Sequence, residues 1–76
     1  MSGDSTANLV RMVNQIARNV THEADPVATV ADHVAAFWSR RMRAQIAAWL
    51  DQHGGEGLDP VALAALQRLQ QGADAG

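Results

Sequence analysis

Two Asp-Pro dipeptides, Asp25-Pro26 and Asp59-Pro60, constrain the fold of this chain more than any other feature, because each marks a place where a helix begins. The aspartate side chain accepts hydrogen bonds from the free N–H groups of a first turn. Proline at the first helical position has no N–H to lose, and its φ is already set for a helix. Around these starts the apolar residues recur at helical spacing and do not alternate. Leu9, Met12, Val13, Ile16, Ala17 and Val20 share one side of a first helix beginning near Ser5 or Thr6; Asn8, Arg11, Asn14, Gln15, Arg18 and Asn19 share the other. Residues 21–25 read as a loop. After Asp25-Pro26, Val27, Val30, Val34 and Phe37 fall on one face, with Trp38 at its flank and Asp32 pointing away.

Ser39 can cap a third helix with Met42, Ile46, Trp49, Leu50 and His53 on its apolar face. No glycine or proline separates Trp38 from Arg40, so one continuous helix is the alternative. The drift of the apolar face between Phe37 and Met42 favours a break. His53-Gly54-Gly55 closes the helix, glycine being free to turn left-handed. Residues 56–58 make a turn, and the last helix presents Leu63, Leu66 and Leu69, with Gln67 and Arg68 opposite. The two Asp-Pro starts are a shared device, not a duplication. The expected fold is all-α, a small bundle of three to four short helices: one helical domain over residues 6–71, with flexible ends at 1–5 and 72–76.

Size and charge narrow the function. With 76 residues the chain has room for one domain and little interior, and at 47% apolar residues it is not a disordered tail. It has no cysteine, hence no disulfide framework and no thiolate metal site, which suits the cytoplasm. A net charge of −2 is not the footprint of a nucleic-acid binder. The polar, acidic Met1-Ser2-Gly3-Asp4 does not resemble a signal peptide, and no apolar run approaches a membrane span of about 18 residues. All six basic residues are arginine, a bias that a coding sequence rich in G and C explains without any selected contact.

One corner nonetheless stands out. Residues 31–50 hold both tryptophans, the only phenylalanine and three of the six arginines. Arg40, Arg41 and Arg43 at a helix start oppose the helix dipole at about 0.3–1 kcal/mol each. Local rules broken without compensation tend to mark functional places. The arginines form no single stripe, as a groove-tracking surface would require. The plain reading is a solvated basic cluster; the sharper one is contact with a partner protein, where Trp and Arg dominate binding hot spots. Trp38 and Phe37 divide in the same way between core packing and contact.

No catalytic constellation accompanies this corner. His22, His33 and His53 have no metal-ligand spacing; His33 reads as a partly buried histidine beside the basic corner, His53 as a complement to a helix C-terminus and His22 as loop. Asp25 and Asp59 are caps and do not pair with Asp32 or Asp51. Gly54, Gly55 and Gly57 lack the lysine and flanking strand of a phosphate loop.

Several of these stretches resemble the small delta subunit of soluble, NAD-dependent, molybdenum-containing formate dehydrogenases. Asn8-Leu9-Val10-Arg11-Met12-Val13-Asn14-Gln15-Ile16-Ala17 is similar to that family's first helix. Val30-Ala31-Asp32-His33-Val34, followed by Phe37-Trp38 and Arg41-Met42-Arg43, is similar to its central motif. Gly57-Leu58-Asp59-Pro60 and Ala65-Leu66 resemble its last segment. The likeness spans roughly residues 8–69. The family pattern often has Asp-Pro where this chain has Ser39-Arg40, so Arg40 is not carried over. The resemblance implies a non-catalytic cytoplasmic subunit that docks on the large molybdenum-binding alpha subunit and supports its assembly, cofactor loading or stability. Formate oxidation with NAD⁺ reduction would belong to other subunits, which would hold the molybdenum cofactor, iron–sulfur clusters and flavin (FMN). The expected contact centre is Trp38, Arg41, Met42, Arg43 and His33, with Arg11 and Asn14 secondary; no nucleic acid and no membrane is involved. The alternative is a free-standing helical adaptor or homodimer that buries its wide apolar arcs against itself. A small DNA binder reading through the third helix comes after both.

Overall fold

Each helix begins where a side chain is available to hold its first turn. The computed structural model describes residues 6–75, with side chains over 6–71, and contains α1 (Thr6–Asn19), α2 (Pro26–Phe37), α3 (Arg40–His53) and α4 (Pro60–Ala75). The all-α expectation holds, with no strand among the described residues. Asp25 caps α2 by accepting from the Ala28 N–H at 3.1 Å. Asp59 does the same for α4, accepting from the Val61 N–H at 2.9 Å. α1 begins at Thr6; Ser5, the other candidate cap, lies outside the described residues. So does the flexible end expected over 1–5, as do the side chains of residues 72–76, where the other flexible end was expected. No helix of the described residues is long and apolar enough to cross a membrane.

The second and third helices are separate. Trp38 (φ −88°, ψ 140°) and Ser39 (φ −69°, ψ 163°) are both extended, and the Ser39 hydroxyl caps α3 by accepting from the Met42 N–H at 3.1 Å. α3 closes at Gly54, whose φ of 65° is left-handed and whose N–H donates to Leu50 O at 2.7 Å.

The core is built from Leu9, Val13 and Ala17 of α1, Val30, Ala31 and Val34 of α2, Ile46 and Leu50 of α3, and Ala62, Ala65 and Leu66 of α4, with Trp38 from the α2–α3 link. α2 and α4 make the most extensive contact, and the fully buried Ala62 and Ala65 let their backbones approach closely. α1 touches all three other helices. α3 rests mainly on α1 and meets α2 and α4 only sparsely.

Three expectations about faces are corrected. Phe37, expected on the apolar face of α2, is 74% exposed, whereas Trp38, expected at the flank, is 5% exposed and in the core. The helix ends at Phe37, and the extended conformation of Trp38 swings its ring inward where another helical residue would have pointed elsewhere. His53 is exposed on the last turn of α3, its ring against Trp49 with centroids 5.1 Å apart. On α4 the buried stripe is centred on Ala62, Ala65 and Leu66, with Leu63 and Leu69 half-buried at its edges.

Candidate docking surface

Residues from α1, α2 and the start of α3 converge on a recess of about 510 Å³ lined by Arg11, Met12, His33, Phe37, Trp38 and Met42, among others. Helical spacing explains the convergence. Arg11 and Met12 sit on the exposed shoulder of α1, beside its buried stripe of Leu9, Val13 and Ala17. His33 and Phe37 are four residues apart on α2, and their rings meet at a centroid distance of 4.7 Å, tilted by 41°. Met42 lies on the first turn of α3, half-buried and with its backbone fixed by the Ser39 cap.

This recess is where the described surface keeps its large apolar side chains in water. Phe37 and Met12 are the exposed large apolar side chains of the described residues, and they lie together here. Single exposed apolar residues are ordinary; two large ones sharing one recess with polar neighbours leave apolar area that a partner could cover. Arg11 on the rim reaches Asn8 Oδ1 at only 3.5 Å, so its guanidinium is held loosely. A partner covering Phe37 would remove most of a phenyl ring from water, worth about 1.5–3 kcal/mol.

Three of the five residues expected at the contact centre, His33, Trp38 and Met42, line this recess, and so does Arg11 of the two secondary ones. Trp38 does so from beneath, as a core residue whose ring forms part of the floor. The other three lie elsewhere. Arg41 is exposed at the start of α3. Arg43, also exposed, lines a different cleft, between α3 and α4. Asn14 is engaged inside the chain: its amide nitrogen donates to Gly57 O at 2.9 Å and its amide oxygen accepts from the Asp59 N–H at 2.8 Å. Phe37, which the sequence left divided between core packing and contact, and Met12, expected on the apolar side of α1, were not among the expected contact residues, because both continue the apolar periodicity of their helices.

His22 lies in the turn after α1, beside Glu23 at 3.3 Å, while His33 and His53 lie on different helices. Among the described residues no group of three or more His, Cys, Asp or Glu is placed to hold a metal ion.

A family model described as NADH-dependant formate dehydrogenase delta subunit FdsD matches residues 8–66, from the first turn of α1 into α4. The chain finds no significant match among curated proteins or solved structures.

Proposed function

The chain belongs to the family of delta subunits of NADH-dependent formate dehydrogenases, and from that premise we propose that it is a non-catalytic subunit that docks on the large molybdenum-binding alpha subunit through the Phe37 corner. Its role there is to support assembly, cofactor loading or stability of that subunit. The molybdenum cofactor, the iron–sulfur clusters and FMN belong to the partner subunits in this reading, and so does the transfer of electrons from formate to NAD⁺. The assembly works in the cytoplasm.

The observation that carries the reading is the tilted His33–Phe37 ring pair, with Phe37 74% exposed in the recess that Met12, Met42 and Arg11 also line. An aromatic anchor ringed by an arginine and flexible methionines is the residue mix of an interface hot spot. Arg41 does not line the recess, but it is exposed on α3 one residue before Met42, which does, and offers a partner a further bidentate donor beside it.

The test is affinity capture of the tagged chain from cells that make the whole dehydrogenase, followed by mass spectrometry and a molybdenum assay on the eluate. The native chain should bring down the large subunit with molybdenum, and Phe37→Ala combined with Arg41→Ala should reduce recovery at least about tenfold. Trp38→Ala cannot serve as the contact variant, because it empties the core. Capture of the native chain alone, or only with further copies of itself, would replace this reading with the self-associating bundle.

A further inference from the structure

The cleft that contains Arg43 is unlike the Phe37 corner. It lies where α3 diverges from α4 and has a volume of about 700 Å³. Its floor is apolar, formed by Ala31, Ile46, Leu50 and Leu66, with Leu69 on the α4 wall. Along α3, Arg40, Arg43, Ala44 and Ala47 stand at i, i+3, i+4 and i+7, which places them on one stripe facing the cleft. Arg68 faces them from α4. Sequence spacing alone separates Arg68 from the other two arginines; the fold brings the three to one opening.

The charge of this opening runs against that of the molecule. Three arginines and Asp32 give the lining a formal +2. The whole chain is −2, so everything outside the cleft sums to −4. Among the described residues none of Arg40, Arg43 and Arg68 makes an ion pair, since His22–Glu23 is the pair found there.

We propose that the cleft between α3 and α4 receives an amphipathic helical segment of a partner subunit, with acidic side chains meeting Arg40, Arg43 and Arg68 and apolar side chains covering the floor. Ala44 and Ala47 leave the α3 wall low, so an incoming helix can approach at the ordinary interaxial distance of about 8–10 Å. Guanidinium groups along its rim suit carboxylates in bidentate geometry. The arrangement is the helix-in-groove mode of recognition, with apolar anchors one turn apart and charges at the margin. A second copy of this chain does not fit: α1 has no acidic residue, and α2, α3 and α4 have one each, Asp32, Asp51 and Asp74. A nucleic acid fits poorly, because phosphates gain nothing from an apolar floor and are repelled by the charge elsewhere.

This inference shares with the Phe37 corner the premise that the chain sits in a multi-subunit enzyme, and one experiment separates the two. The tagged chain is co-expressed with the other dehydrogenase subunits, with the photo-cross-linker p-benzoylphenylalanine replacing Ala44, Phe37 or, as a control on another side of α3, the exposed Gln52. The assembly is purified through a larger subunit, irradiated, and the cross-linked peptides are sequenced. The expected result is an adduct from position 44, at least about fivefold above position 52, on a partner segment with two or more Asp or Glu at helical spacing. In parallel, Arg43→Glu with Arg68→Glu should lower retention in the assembly about tenfold or more, while Arg43→Lys with Arg68→Lys, which keeps the charge but not the bidentate fork, should lower it less.

An adduct from position 37 without one from position 44 overturns the cleft proposal and leaves the corner standing. The reverse supports the cleft and removes the corner. Adducts from position 44 to a second copy, to nucleic acid, or to a segment without acidic side chains overturn it, and a chain absent from the assembly overturns both.

Discussion

At the scale of single residues, the Asn14 amide bonds to two backbone groups in one loop, accepting from the Asp59 N–H and donating to Gly57 O. Only one orientation of the amide satisfies both, and together they hold the start of α4 against the middle of α1. Asn14→Ala removes both bonds, one exposed and one part-buried, and should cost about 0.5–1.5 kcal/mol by chemical denaturation, with the Asp59 amide losing hydrogen-exchange protection. Phe37 and Trp38 make the opposite pair. Phe37→Ala should change stability by less than about 0.5 kcal/mol, whereas Trp38→Ala should cost about 3–5 kcal/mol, both read from melting of the isolated chain. A wheel drawn through Val30 and Val34 carries Phe37 to the inside, so the sequence could not show this exchange. Periodicity holds only while the helix lasts, and it lasts to Phe37. The Asn14 contacts were equally illegible, since a side chain reaching backbone more than forty positions away leaves no spacing to read.

At the scale of elements, much was legible, because helix starts and stops are local chemistry. Asp25, Ser39 and Asp59 cap where their side chains and the following residues suggested, and Gly54 ends α3 where a left-handed residue was needed. Ser39 already has the extended backbone that a following proline demands, and the first N–H of a helix has no intrahelical partner. Ser39→Asp with Arg40→Pro should therefore raise stability by about 0.5–1 kcal/mol, seen as a melting temperature higher by about 2–8 °C. The two glycines after α3 differ in a way the sequence does not reveal. Both have positive φ, 65° at Gly54 and 87° at Gly55, but a Cβ at Gly54 meets open space, while one at Gly55 would lie 2.6 Å from Leu63 Cδ1. Gly54→Ala should cost about 1–2 kcal/mol of backbone strain. Gly55→Ala should cost more, because Leu63 must also move; paired denaturation curves of the two variants check the order.

At the scale of the whole molecule, attachment is uneven. α2 and α4 form the tightest pair, α1 bridges all the others, and α3 leans on α1 with its far side open. Regions with few tertiary contacts open first. Hydrogen exchange of the isolated chain should show the α3 amides exchanging before those in the middle of α2 and α4, and the difference should shrink in the assembled enzyme. This unevenness also puts two clefts on either side of the least anchored helix, an arrangement that no single helix wheel displays. In the first of those clefts, the inward Trp38 and the outward Phe37 are adjacent in the chain. Inserting or deleting one residue in this link would exchange which aromatic faces the interior and which faces a partner. The link should therefore tolerate a change of its letters far more readily than a change of its length. Relatives that retain both rings should retain the spacing between the second and third helices even where little else around it survives.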